Sequence, residues 1–347
     1  MAVELTERER TVLRYVVHDF IETAVPIGSR YISRRHEDVL GLSAATIRNV
    51  MSDLEYLGYI NHPHTSAGRV PTDLGYRFYL DSLMQKEAIS EKEQRQIRDN
   101  LNSAEEEDDV FKQSSKLLSK ISQQLCIVTS PYLSHGIFDR LELVQINSTR
   151  LMVIMSLQMG LVRTLMMEVA SEIPRDKLDG LARFLNERLS GLTLEQIRES
   201  FAGRVKDAQD ENSGLIRLFI DSVDKLFVPN KTEKLHISGT DTIVEQPEFE
   251  NPKNFRGVIE LINNEEIIIH VLEKSSQPEG IRVTIGQENE DEKLKDYSVI
   301  AATYSVGNVT GSIGVIGPTR MRYARTIPLV DYVAQTISEM FSNTYKS

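Results

Sequence analysis

Two stretches near the start of the chain carry side chains suited to gripping a polyanion. In the first, Ile47, Val50, Met51, Leu54 and Leu57 recur at helical spacing and define a buried stripe. Ser43, Ala44, Ala45, Thr46, Arg48 and Asn49 are left facing outward. An α-helix fits the major groove of B-DNA, and side chains projecting from its first turns read base edges. Arg48 can pair with guanine or a phosphate, and Asn49 with adenine or a phosphate. The small Ala44 and Ala45 let the helix end, with its unmet N–H groups, approach closely. An ordinary amphipathic surface helix accounts for this pattern nearly as well.

The second stretch is His62-Pro63-His64-Thr65-Ser66-Ala67-Gly68-Arg69. It has no apolar residue able to anchor it in a core, yet it offers imidazoles at His62 and His64, hydroxyls at Thr65 and Ser66, and the Arg69 guanidinium on a turn. Such a loop suits tracking a phosphate backbone or entering a minor groove. A solvated turn is the plain alternative. A metal site is a weak one, because the two histidines supply too few ligands and Cys126, the single cysteine, is far along the chain.

Local signals define the elements that must hold these residues. Thr6 and Glu9 have capping-box spacing ahead of the stripe Val12, Leu13, Val16, Val17, Phe20 and Ile21, which predicts a first helix ended by Pro26 and Gly28. Ser29 can cap a short second helix bearing Arg30, Arg34 and Arg35, of which Arg30 and Arg34 join the candidate DNA contacts. Ser43 caps a third helix closed by Gly58. A strand at Tyr59-Ile60, the turn and a returning strand at Arg69-Val70 form a hairpin, and a fourth helix carries Tyr76, Phe78, Tyr79 and Leu83. Three helices followed by a hairpin is the winged helix-turn-helix order.

Beyond residue 86 the pattern is mixed α and β. Residues 87–110 turn polar and end in an acidic run, read as a solvated, charged linker helix. Leu141 to Ile146 and Leu151 to Leu157 read as a strand pair around the turn at 147–150. Residues 174–227 read as helical, and the last piece sets Leu215, Ile216, Phe219, Ile220, Val223, Leu226 and Phe227 on a broad apolar face. That face is either core or a self-complementary patch through which Leu215, Phe219, Val223 and Leu226 join two copies. Strands follow near 282–286, 299–304 and 312–316, then a final helix from Pro328.

Composition narrows the function classes. A formal charge of -11 argues at first sight against nucleic acid. However, residues 1–86 hold ten Lys/Arg against eleven Asp/Glu, leaving thirty against forty elsewhere, so a nearly neutral head sits on an acidic body. One cysteine excludes an internal disulfide. No apolar run reaches the roughly 20 residues that span a bilayer, and no signal peptide opens the chain, so a cytoplasmic protein is expected. The glycine-rich 311–318 lacks both the P-loop ending and the dinucleotide-binding spacing, and no nucleophile elbow, metal cluster or triad is evident. No enzymatic activity, cofactor or metal is expected.

Longer motifs carry a resemblance. Ala45-Thr46-Ile47-Arg48-Asn49-Val50-Met51-Ser52-Asp53-Leu54-Glu55, Gly58-Tyr59-Ile60, the stretch from His62 to Thr72, and Gly75-Tyr76-Arg77 closely resemble the heat-inducible transcription repressor family HrcA. So do Ile285-Gly286-Gln287-Glu288-Asn289, Gly314-Val315-Ile316-Gly317-Pro318-Thr319-Arg320-Met321 and Ile327-Pro328-Leu329-Val330-Asp331. The likeness runs nearly end to end and is weakest between about 171 and 230; Arg322 stands where an acidic residue is expected. It implies an α+β multidomain chain: a winged-helix domain at 1–86, a GAF-like α/β domain at 111–158 and 236–347, and an inserted helical or α+β dimerising domain at 159–235. It further implies a homodimer that binds an inverted-repeat operator in double-stranded DNA, represses chaperonin and DnaK operons, and depends on the GroEL chaperonin. GAF-like domains often hold small ligands, so a metabolite-responsive regulator is the rival expectation.

Overall fold

The computed structural model describes residues 4–63, 68–104, 106–131, 136–158, 162–206, 213–227, 235–275 and 280–344. The chain divides into two compact units, one of Met1–Thr129, His236–Thr303 and Ser312–Thr336, the other of Ser130–Leu235, Tyr304–Gly311 and Ile337–Ser347.

The first unit begins with helices α1 (Glu7–Thr23), α2 (Ser29–Arg35), the single turn α3 (Glu37–Leu40) and α4 (Ala44–Tyr56). The expected capping box closes α1: Thr6 Oγ1 accepts from the Glu9 N–H at 3.3 Å while Glu9 accepts from the Thr6 N–H at 2.7 Å. Val12, Leu13, Val16 and Val17 of α1 and Ile47, Val50, Met51 and Leu54 of α4 are buried, as their spacing predicts. Strands β1 (Ile60–Asn61) and β2 (Val70–Pro71) pair antiparallel. Ile27 adds a bridge to Arg69, with both N–H···O bonds at 2.8 Å. Helix α5 (Asp73–Phe78) runs on into a π-turn at Tyr79–Leu83.

Residues 87–110 do not form one solvated linker helix. They hold α6 (Glu91–Asn102) and the start of α7 (Glu107–Ser122), and Ile97 and Leu101 are fully buried. An apolar residue every fourth position was enough to seat α6 on the body. Strand β3 (Leu125–Thr129) joins a five-stranded sheet in the order β7-β3-β10-β9-β8, with β7 Leu235–Ser238, β8 Ile281–Ile285, β9 Tyr297–Val306 and β10 Val309–Pro318. β10 pairs antiparallel with β3, and β8 with β9. Helices α12 (Thr240–Val244), α13 (Pro252–Ile262) and α14 (Glu265–Ser275) lie between β7 and β8 in sequence. The last helix, α15 (Tyr323–Thr344), starts five residues before the expected Pro328, which lies inside it. Proline has no N–H for the carbonyl four residues back; that carbonyl, on Ala324, accepts instead from the Glu87 N–H at 2.9 Å.

The second unit holds the meander β4 (Phe138–Asn147), β5 (Arg150–Leu157) and β6 (Val162–Glu168), followed by α8 (Arg175–Leu189), α9 (Leu194–Arg204), α10 (Ser213–Asp221) and α11 (Val223–Phe227). The strand pair at 138–157, expected with the GAF-like part, therefore belongs here. One face of its three-stranded sheet forms a shared core with α8 to α11. The apolar stripe of α10 and α11 is also corrected. Phe219 and Leu226 are enclosed by Leu185, Ile197, Phe201 and the sheet, and Leu215 and Val223 are half-buried against the same core. The stripe is covered by its own chain, so it is core and not a docking patch.

Candidate nucleic-acid interface

Ser43 starts α4 as expected: its side chain accepts from the Thr46 N–H at 3.2 Å and lies 3.0 Å from the Thr46 hydroxyl. Such a cap contributes about 1 kcal/mol and fixes where the helix begins. With the stripe turned inward, Ser43, Ala45, Arg48 and Asn49 are exposed and Ala44 and Thr46 half-exposed on the opposite side. Arg30 and Arg34 are exposed on α2. Arg30, Arg34 and Arg48 make no ion pair among the described residues, so their charge is open to phosphate.

Neighbouring cations are committed elsewhere. Arg35 lies 3.6 Å from the buried Asp19 and donates to the Tyr31 hydroxyl, a bond that with Asp19 raises its pKa. His36 stacks on Tyr15 with ring centroids 3.8 Å apart and places Nε2 2.8 Å from Asp19 Oδ2. These contacts tie α1 to the corner that leads into α4.

The hairpin departs from expectation. Arg69 is not an outward cation: its side chain is 18% exposed and Nη2 lies 2.8 Å from Glu55 Oε2. The other oxygen of Glu55 pairs with His62 Nδ1. A carboxylate on the next-to-last residue of α4 thus holds both feet of the hairpin and neutralises part of the charge ascribed to it. Gly68 is required at the base, where a Cβ would fall 2.5 Å from the Pro26 carbonyl oxygen. His64, Thr65 and Ser66 lie outside the described residues.

Sequence reasoning missed Asp19, Glu55 and Tyr56. Asp19, inside an apolar stripe, was a detectable anomaly, since an unpaired carboxylate there would be costly. Glu55 gave no such signal, because its partners lie across a turn. Tyr56, 91% exposed at the end of α4, is a further aromatic on the face shared with Arg48 and Ser52 side chains of the same helix surface.

No group of three or more metal-binding side chains occurs among the described residues. Cys126 is buried and burial pushes its thiol up to about 12, so it is no thiolate nucleophile at neutral pH. Among the described residues no helix is long and apolar enough to cross a membrane.

Residues 108–327 match the family described as HrcA protein C terminal domain. The chain is 42% identical to the heat-inducible transcription repressor HrcA of Chlorobium phaeobacteroides (strain BS1), over 98% of this chain and 99% of that one. It is 40% identical to the repressor of the same description from Chlorobaculum tepidum, covering 98% of both. A crystal structure described as a hypothetical protein superposes with a TM-score of 0.62 at 24% identity, covering 98% of this chain and all of the other, which supports the fold alone. On the family match and these relatives, the chain belongs to the HrcA family of heat-inducible transcription repressors.

Proposed function

We propose that this repressor reads an inverted-repeat operator as a homodimer, with residues 1–86 acting as a winged helix whose α4 enters the major groove. The observation that carries the reading is the exposed Arg48 and Asn49 on a capped helix, flanked by the exposed Arg30 and Arg34 of α2. Phosphate contacts from α2 would set register and α4 would read bases. The hairpin, its feet held by Glu55, would follow the backbone alongside. The sheet of the first unit with its helices serves as a GAF-like scaffold.

A palindrome requires a twofold partner. The sheet face of the second unit that α8 to α11 leave open supplies a candidate. Val144, Met152 and Met166 form one cross-strand row, and Ile154 and Val162 lie on the same face. Val162 and Met166 are 62% and 53% exposed, unusual for large apolar side chains on the same face of one strand. Dimerisation is assigned to this face in place of the α10 stripe.

The operons under control would be those of the chaperonin and DnaK, with GroEL keeping the repressor active until heat-unfolded proteins compete for it. Binding of the purified protein to the family's inverted repeat and to a scrambled duplex, each with and without GroEL, tests the whole reading. A preference for the repeat that rises with GroEL is expected. Equal binding to both duplexes under all conditions refutes it.

A further inference from the structure

Two of the motifs that carry the family likeness, Ile285 to Asn289 and Gly314 to Met321, lie far in sequence from any DNA-facing residue. In the first unit both touch the head. The turn after β8 is rigid before anything docks on it. The Asn289 amide donates to the carbonyls of Gly286 at 3.0 Å, Leu294 at 2.8 Å and Tyr297 at 2.8 Å, and its oxygen accepts from the Thr284 hydroxyl at 2.6 Å. Glu288 accepts from the Ile285 N–H at 2.9 Å.

Helix α5 presents Asp73 and Arg77, one turn apart on one face, to that turn. The Gln287 N–H donates to Asp73 Oδ2 at 2.9 Å. Gly286, at φ 52°, leaves the room: a Cβ there would fall 2.2 Å from Asp73 Oδ2. Arg77 donates through Nε to Glu288 Oε1 at 2.8 Å, and through Nη2 to Glu288 Oε2 and to the Val283 carbonyl, the latter at 2.7 Å. A forked pair of this kind fixes orientation as well as distance.

The clasp leads mechanically to the reading helix. Thr72, which caps α5, donates its hydroxyl to the Gly58 carbonyl at the end of α4 at 2.6 Å. Gly75 lies so close to β1 that a Cβ would meet the Tyr59 carbonyl oxygen at 2.1 Å. A second anchor holds the last turn of α1, where Arg320 donates to the carbonyl of Ile21 at 2.7 Å and pairs with Glu248, and Arg322 pairs with Glu22 at 3.2 Å. Attachments on two different helices, α5 and α1, restrict swivelling of the head more than either does by itself.

We propose that Glu288 and Gly286, with Arg77 and Asp73, are positioning residues for operator recognition that fix the direction in which α4 faces the duplex. The inference rests on the inverted-repeat reading above. Two heads reach half-sites one or more helical turns apart only when each is held at a set angle, and the second contact then gains from a high effective concentration. A swivelling head keeps its half-site chemistry and loses that gain.

The test compares the full-length protein with Glu288→Gln, Arg77→Ala and their double variant on three duplexes: the family's inverted repeat, the repeat with its halves moved apart by about half a helical turn, and a single half-site. Wild type should prefer the native spacing by about tenfold or more, and each single variant should lose that preference while half-site affinity changes by less than about twofold. The double variant should lose no more than either single one, because the two side chains act through each other. Retained spacing preference in the variants overturns the clasp, and so does a parallel loss of half-site binding, which would mark the contact as serving only to keep the head folded. A wild type indifferent to the repeat overturns the operator reading itself, and the clasp's role with it.

Discussion

His36 Nε2 lies 2.8 Å from Oδ2 of Asp19, a carboxylate that is fully buried inside the apolar stripe of α1. The pair crosses from the middle of the first helix to the corner ahead of the candidate reading helix. Tyr15 covers the imidazole, and Arg35 approaches the other carboxylate oxygen at 3.6 Å. The cluster is lopsided, because Arg35 and His36 retain contact with solvent whereas the carboxylate has none.

That asymmetry predicts which side of the contact is costlier to remove. His36→Ala strands a buried carboxylate and should cost about 3 kcal/mol or more. Asp19→Asn leaves partners that water can reach and should cost about 1 to 2 kcal/mol. Urea unfolding of both full-length variants checks the order, and a smaller loss for His36→Ala would contradict it.

Arg48 and Arg34 should separate base reading from phosphate contact. Arg48→Ala is expected to weaken operator binding by about 1 to 3 kcal/mol and relax sequence preference, and Arg34→Ala to weaken every duplex alike and reduce the salt slope by about one. Gel shifts over a salt series measure both. Identical, sequence-independent losses would show that α4 does not read bases. Arg69→Ala belongs to neither group: with its guanidinium held by Glu55, its removal should loosen the hairpin.

The head was legible because its signals are local. Thr6 with Glu9, Ser43 with Thr46, and the stripes of α1 and α4 each lie within a few residues, and the structure follows them. What escaped depends on distant partners. β3 is buried at every position and shows no alternation to mark a strand. The pair β4 and β5 was visible, but its ownership is decided by β6 and by helices some 40 residues on. The stripe from Leu215 to Phe227 is plainly apolar in the sequence, but its burial in one core with α8 and α9 follows only from the fold. The start of α15 was misplaced because Pro328 reads as a helix opener, and only the Glu87 N–H at the Ala324 carbonyl shows how the helix absorbs it. In the candidate site, outward residues of α4 followed from periodicity, whereas the pairing of Arg69 and His62 with Glu55 did not.

The two surfaces considered for dimerisation should respond differently to substitution. Phe219→Ala opens a cavity in the core of the second unit and should cost about 3 to 5 kcal/mol. Met166→Glu places a charge on an open sheet face and should leave folding nearly intact while yielding monomers in sedimentation. A Met166→Glu protein that sediments unchanged as a dimer would remove this face from the proposal.

Alkaline pH supplies the last prediction, because the single cysteine is a clean probe. Burial holds the Cys126 thiol at about 12 and the Tyr297 phenol, beside Asp296, also at about 12. In the unfolded chain the two groups ionise near 8.5 and 10. Each is therefore raised on folding, so the neutral form is the one the fold favours. The stability they contribute is fully present below the unfolded values and is lost as pH rises from about 9 towards 12. At pH 8 a disulfide reagent should leave Cys126 unlabelled in the native protein and label it completely in urea. The urea midpoint should fall steadily above pH 9, and Cys126→Ala should lose less over the early part of that range because the thiol no longer contributes. Rapid native labelling at pH 8, or a midpoint that stays flat to pH 11, would contradict the burial that β3 and β10 impose on this residue.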